Sequence, residues 1–451
     1  MRGSAPDEWR WTDTTEDKET KEIKGYSWEY WTRCGPATSE GAGQTSFPPR
    51  WSRSFAEWGI ESPDGVALSI ASEWVIRLLR PVIGDQHRMV ALKDAKVERS
   101  SGVGLPYKWS AQFSTKGDWL DSKCSESLES CVEQYPEPYS LMWDCFPKVE
   151  ILRKDKADRK TRLISAAPIE HYMIGAMLYT TQNEALYSNP LQGKSAVGLC
   201  PAYRGWLQLA DQLGDVIENS DATGFDQSLS PALLYRLYEV RERLSRFNAS
   251  ERKVHWWYFM HLVHRRCYTS NGKVFDVFGG NGSGQYNTTS DNTLAHLLAL
   301  AYAAVRSGMG YVEWKQHPQF VYGDDYIGTE LPERYWSAFA ELGIQLKRPP
   351  ASGIFGVDFL SHKFISTPWG ITGVLKHDKS LLSAYTSESK KWRKFRLHKL
   401  YSLWLGHYFH GDGVVYKACL SELGYEVRDV DAISYWFGLV GGFKSQYGES
   451  N

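Results

Sequence analysis

The stretch FVYGDDYIG, Phe320 to Gly328, decides the reading of this 451-residue chain. Phe-Val-Tyr and Tyr-Ile flank Gly323, Asp324 and Asp325, a pattern that predicts a short β-hairpin with a carboxylate pair at its tip. Adjacent carboxylates repel each other unless a cation sits beside them. Such a tip can be a solvated Asp-rich turn. It can also be a divalent metal site, since Mg²⁺ takes a few carboxylates together with waters and phosphate oxygens. Gly-Asp-Asp arises by chance in roughly a tenth of chains this long, so the tripeptide needs partners elsewhere.

Two segments supply them. Upstream, DATGFDQSLSP places Asp221 at the end of an expected strand and Asp226 five positions later, before a helix opened by Ser230-Pro231. Between the carboxylate motifs lies GGNGSGQYNTTSDN, a glycine-rich loop running into a helix, where Ser283, Thr288 and Asn292 offer short polar groups. It does not fit the Walker phosphate-loop pattern. Asp221 and Asp324 on neighbouring strands would suit two divalent ions about 3.5 to 4 Å apart, with Asp325 tuning the site.

The rest of the chain sets the frame. Hydrophobic residues make up 42% and charged residues 23%, the balance of a globular protein. Nineteen Trp and 26 Tyr suit large cores and stacking on bases. A net charge of −1 gives no global nucleic-acid signature, so any basic surface must be local. Seven cysteines without a Cys-x-x-Cys pair argue against a disulfide framework or zinc ribbon and for a reduced, intracellular chain. The N-terminal MRGSAPDEWRW lacks the apolar core of a signal peptide. LAHLLALAYAAV from Leu294 is too short to span a bilayer and reads as a buried helix, so a soluble protein without a transmembrane segment is expected.

Helical periodicity follows Ser230-Pro231, with Leu233, Leu234, Leu237 and Val240 on one face, then Thr288, then Pro332 to Leu342 before Gly343. Strands are expected near Val216 to Ser220, on both arms of the Asp324 turn and at GVDFLSHKFI. Helices and short strands alternate irregularly, which predicts an α+β fold. Residues 1 to about 50 read as an extended lead-in that packs in places, and the last eighty as mostly helical. His261, His264 and Cys267 are spaced to share a helix face and invite a metal reading, although their aromatic neighbours point to packing.

DATGFDQSLSP, SGQYNTTSDN and YGDD, in this order and spacing, resemble motifs A, B and C of viral RNA-dependent RNA polymerases. The likeness is to the picornavirus-like group of positive-strand RNA viruses, astrovirus-like polymerases included. SSGVGLPY from Ser100 resembles motif G, KVEILRKDKADRKTRLISAAP motif F, ELGIQLK motif D and VDFLSHKF motif E. SAVGLCPAYRGW resembles the lead-in to motif A.

The resemblance implies template-directed RNA synthesis from nucleoside triphosphates with two Mg²⁺ or Mn²⁺ ions. It implies a closed right hand: an N-terminal region and fingers over 1–182, palm over 183–254, a fingers insertion over 255–280, palm over 281–371 and thumb over 372–451. The palm would carry an antiparallel sheet flanked by helices. Asp221, Asp324 and Asp325 would hold metal, and Lys347 would protonate the leaving pyrophosphate, with Arg348 competing for that role. Lys148, Lys160, Arg162, Asp226, Ser283, Thr288 and Asn292 would contact the nucleotide. Ser101 and Gly102 would guide the template, and Lys390, Lys391, Arg393 and Lys394 would follow the product duplex. Expected partners are the template and primer, other replication proteins and a protein primer, in the host cytoplasm or on replication membranes reached through those partners.

The charges support this reading physically. Lys148 to Arg162 holds seven basic residues against three acidic ones, and Lys390 to Lys399 holds six cations and no acid. Either run serves as a solvated face or as a phosphate track. A reverse transcriptase would place a bulky aromatic near position 226 to block the ribose 2′-OH. Asp226 instead accepts a hydrogen bond, with Asn292 and Thr288 able to complete a polar network, so RNA synthesis is preferred. A metal-dependent nuclease leaves this trio unexplained, and a non-catalytic RNA-binding protein leaves the three spaced acids unexplained. Gly282 stands where many relatives have Pro, which predicts a floppier loop before Ser283.

Overall fold

The computed structural model describes residues 63–110, 112–122, 125, 128–148, 163–269, 274–375, 396–411 and 413–438, with the short strands Trp9–Trp11, Ala37–Thr38 and Ile151–Arg153. Helices and mainly antiparallel sheets mix along the chain, the α+β class that the irregular alternation predicts.

The sheet that matters most has four antiparallel strands: β1 (Ile217–Ala222), β2 (Gln319–Tyr322), β3 (Asp325–Thr329) and β4 (Leu346–Lys347), in the spatial order β4-β1-β3-β2. The hairpin β2–β3 turns at Gly323, whose φ of 62° suits glycine and strains other residues. One face of this sheet packs on helices α1 (Gly65–Ile83), α3 (Pro231–Arg243), α4 (Thr288–Arg306) and α5 (Glu333–Glu341), which share a core with Val321 and Tyr326. Helix α2 (Ile169–Tyr187) packs against α1 from the other flank.

Local sequence accounts for these elements. Ser230 caps α3, its Oγ accepting from Leu233 N, and Pro231 fits the first helical turn, where no N–H partner is needed. The apolar run from Leu294 is buried on all sides in α4, as expected for a central helix. Among the described residues no helix is long and apolar enough to cross a membrane.

A second sheet orders its strands Ala37–Thr38, Val274–Phe278, His264–Thr269, Met142–Pro147 and Leu163–Ala166. One pair in it is parallel, Met142–Cys145 against Arg266–Thr269. The lead-in therefore packs where Ala37–Thr38 joins this sheet and where Trp9–Trp11 pairs with Ile151–Arg153. The expected strand at GVDFLSHKFI is split, Asp358–Phe359 and His362–Thr367, and the latter pairs with Gly370–Leu375. Among the described residues three helices follow, Arg396–His407, Gly413–Glu422 and Asp429–Phe437.

The shared helix face expected for His261, His264 and Cys267 does not form. The helix ends at Val263, and His264 and Cys267 lie on the next strand. His261 bonds the carbonyl of Trp257 and Cys267 is fully buried, so these residues serve packing.

Candidate active site

Pairing in the four-stranded sheet brings the separated acids together. Asp221 on β1 is directly opposite Asp325 on β3, and Asp324 occupies the turn beside them. On the other side of Asp221 lies Lys347 of β4. Like charges facing each other across strands are unfavourable, and Lys347 offsets part of that repulsion with its Nζ 3.7 Å from Asp221 Oδ2. Both side chains are more than half exposed, at 60% and 62%, so water screens this contact. Arg348, the residue after β4, is engaged elsewhere. Its guanidinium bonds Glu218 and Glu333 and covers the Trp336 ring, which removes it from competition with Lys347.

Helix α4 grips the turn from beneath. The Gly323 N–H donates to Thr293 Oγ1 at 2.9 Å, and the Gly323 carbonyl lies 3.0 Å from His296 Nδ1, which must carry a proton to donate there. His296 is fully buried among Phe225, Tyr326 and Phe339, and burial pushes its pKa down to about 4. The imidazole is therefore a neutral strut. Neither residue stands out in the sequence, because Thr293 is one of several threonines before Leu294 and His296 sits inside the apolar run that follows.

Asp226 lies next to the acids, in the short helix Phe225–Ser228 after β1. Asn292 Nδ2 donates to Asp226 Oδ1, the pairing that the sequence suggested. Burial raises the Asp226 pKa to about 6, and the charge of Asp324 adds to the rise while the Asn292 bond opposes it.

Thr288 does not join this pair. As the first residue of α4 it donates its hydroxyl to the carbonyls of Gly282 and Gln285, so it closes the loop instead of facing the site. The third member is Asn281, whose Nδ2 donates to Asn292 Oδ1 at 2.8 Å. Among several asparagines in a glycine-rich loop, only the fold distinguishes it.

Ser283 is committed as well, its Oγ accepting from Ser165 N at 3.1 Å. The loop around it is tied down. Gly279, Gly280 and Gly284 donate backbone N–H bonds to Val263, Leu229 and Ser165, and Arg265 bonds the carbonyls of Gly279 and Gly280. At Gly282 a Cβ would come 2.4 Å from the Trp143 ring. Gly282 is thus a close-packing position, and the floppiness expected from the missing proline gives way to these contacts.

The other expected contacts divide. Lys148 is half-buried just past the strand Met142–Pro147. Ser101 and Gly102 form a surface loop held by buried Lys116, whose Nζ donates to Ser101 Oγ at 2.6 Å and to the Gly102 carbonyl at 3.0 Å. Lys160, Arg162, Lys390, Lys391, Arg393 and Lys394 lie outside the described residues.

Asp221, Asp324 and Asp325 offer hard carboxylate oxygens, the ligand type that Mg²⁺ and Mn²⁺ take. Among the described residues no group of three His, Cys, Asp or Glu side chains converges closely enough to hold a metal ion, and Asp221 leans on Lys347 instead. The donor set fits a divalent cation in chemistry.

Comparison with known proteins agrees with the motifs. The chain is 32% identical over 236 residues to the genome polyprotein of Bean yellow mosaic virus, covering 50% of this chain and 8% of that one. It is 31% identical over 226 residues to the genome polyprotein of Beet mosaic virus, 48% of this chain and 7% of the relative. Against that of Sweet potato mild mottle virus it is 26% identical over 318 residues, 66% and 9%. The matched stretch is therefore less than a tenth of each of these polyproteins. The model of the viral RNA-dependent RNA polymerase family matches residues 76–416, and the chain belongs to that family.

Proposed function

We propose that this chain copies an RNA template by adding ribonucleotides to a 3′-hydroxyl, with its chemistry at Asp221, Asp324 and Asp325. The observation that carries the proposal is the register of the sheet: two acids about a hundred residues apart face each other across β1 and β3, beside a third in the turn and a hydrogen-bonded Asp226–Asn292 pair. Two divalent ions bound there would supply charge neutralisation at the triphosphate and a more acidic 3′-hydroxyl. The carboxylates hold those charges, and the Gly323 clamp keeps the turn in place for them.

Lys347 is the proposed proton donor to the leaving pyrophosphate. It is cationic, exposed and next to Asp221, from which it can swing away once other cations neutralise that carboxylate. Asp226 and Asn292 are the proposed ribose sensors, an acceptor and a donor for a 2′-hydroxyl; a nucleotide without that hydroxyl would leave them unpaired. Lys148, Lys160 and Arg162 are proposed to neutralise phosphates, and Ser101 and Gly102 to steer the template.

The proposed architecture is a closed right hand, with palm over 183–254 and 281–371, fingers over 1–182 and 255–280, and thumb over 372–451. The second sheet supports this division, because strands from 264–278 pair with strands from the N-terminal part. The proposed setting is replication of a viral genome in the host cytoplasm, with a protein primer and other viral replication proteins as partners.

The test is radiolabelled UMP incorporation with Mn²⁺ and an oligo(U) primer on poly(A), with poly(C) as the non-complementary template. The proposal expects incorporation on poly(A) alone, abolished in Asp324→Ala. Incorporation on both templates, or full activity in Asp324→Ala, would refute it.

A further inference from the structure

Arg241 and Asp291 form an ion pair sealed inside the protein, each side chain only 3% exposed, with Arg241 Nε donating to Asp291 Oδ1 at 2.6 Å. Three more guanidinium N–H groups reach Gln182 Oε1 at 2.6 Å, Asn183 Oδ1 at 3.2 Å and Ser290 Oγ at 2.9 Å, and the Tyr179 ring lies 4.6 Å from the guanidinium carbon. One side chain thus ties α3 to α2 and α4. A buried ion pair is a poor source of stability, because desolvation offsets its Coulomb gain. A role in fixing position accounts better for four directed hydrogen bonds from one buried side chain.

From Asp291 a row of amides runs to the ribose-sensing pair. The Asp291 carboxylate only accepts, so Gln285 turns its Nε2 toward Oδ2, at 2.8 Å. Gln285 Oε1 is held from the opposite side by the Asn287 backbone N–H at 2.7 Å and by the Tyr258 hydroxyl. Gln285 Nε2 also donates to Asn281 Oδ1 at 2.8 Å, Asn281 Nδ2 to Asn292 Oδ1, and Asn292 Nδ2 to Asp226 Oδ1. Each joint has one donor and one acceptor, so reversing a single amide would set two donors or two acceptors against each other. Among the described residues this leaves Asp226 Oδ2 with no protein partner.

We infer that Arg241 and Asp291 are positioning residues for ribose selection, acting through Gln285 and Asn281 to fix which way the Asn292 amide faces. The inference rests on the reading of Asp226 and Asn292 as ribose sensors. It assigns selection to a charge pair separated from the sugar by three intervening amides.

The test compares kcat/KM for UTP and dUTP, which differ only at the 2′-hydroxyl, on one preparation of each full-chain variant. Their ratio cancels the fraction of active enzyme, so a merely structural defect leaves it unmoved. Arg241→Lys keeps the charge but lacks the donors to serve Asp291, Gln182, Asn183 and Ser290 together. Asp291→Asn removes an oxygen that either Arg241 or Gln285 needs and provides a second variant of the pair should the first not fold. Asn281→Ala cuts the row and spares the ion pair, and Asn292→Ala is the reference for direct sensing. The UTP preference is expected to fall by about tenfold in the pair variants and in Asn281→Ala, the scale of one lost buried hydrogen bond. It is expected to fall further in Asn292→Ala. A fall in Asn292→Ala with no change in the pair variants would overturn the positioning role and leave the ribose reading standing. No fall in Asn292→Ala would overturn the ribose reading, and the positioning role with it.

Discussion

Asp221 and Arg241 lie on successive elements of the same core, and the fold treats their charges in opposite ways. Asp221 is more than half exposed and has one screened lysine beside it. Arg241 is sealed in, with four of its five N–H donors matched to acceptors. The difference follows from what each end has to meet. In the proposed function, a carboxylate that takes up cations and releases product must stay accessible, and its ordering energy would come from the ligand. An amide proposed to tell one hydroxyl from a hydrogen would have to be oriented beforehand, because a flexible one would adapt to either sugar. The carboxylate end of the sheet is therefore left electrostatically unsettled, while the loop behind it is tied by many hydrogen bonds.

That contrast can be broken from either side. The largest effect is expected at the exposed end: Asp324→Ala should lower primer extension by a factor on the order of 10³ or more, the scale of losing a preorganised electrostatic group, while its thermal melting changes little. Lys347→Ala should cost about 10² in kcat with a nearly unchanged KM, as removal of a general acid would. A KM effect alone would instead mark Lys347 as a binding residue. Thr293→Val removes the acceptor of the Gly323 N–H and should lower activity by about tenfold, the scale of one buried hydrogen bond. Extra Mg²⁺ should recover part of that loss, which a titration of rate against Mg²⁺ would show.

A further effect concerns stability. With its pKa raised to about 6, Asp226 resists ionisation in the folded protein. Its ionisation therefore costs nothing below about pH 4, and the cost is complete above about pH 6. Asp226→Asn should accordingly gain stability over wild type between pH 4 and pH 7, by up to about 3 kcal/mol for a shift of this size. Urea unfolding in EDTA measures this, and parallel pH profiles for the two proteins would contradict it.

The sequence reveals the exposed end far better than the buried one. Asp221, Asp324 and Asp325 stand in short motifs beside strand-forming residues, and the pairing of β1 with β3 sets Asp221 opposite Asp325. Asn292 is legible because it lies in the second turn of a helix whose entry loop is rich in glycine. Arg241 is not legible. It ends a helix among Glu239, Glu242 and Arg243, where a solvated cation is the ordinary reading. Only the packing of α2, α3 and α4 turns it inward. Asn281 takes the place expected of Thr288, because the bend of the loop, where Gly282 packs on Trp143, decides which side chain reaches Asn292. The buried His296 and Thr293 escape notice because their roles depend on which turn the helix passes beneath.

The separation of chemistry from selection is tested most directly by single-nucleotide incorporation with UTP and dUTP, comparing Asp325→Asn with Asn292→Ala. The account predicts that Asp325→Asn slows both nucleotides by the same factor and keeps the wild-type preference, whereas Asn292→Ala reduces UTP use toward the level of dUTP. A collapse of the preference in Asp325→Asn, or an equal slowing of both nucleotides in Asn292→Ala, would contradict it.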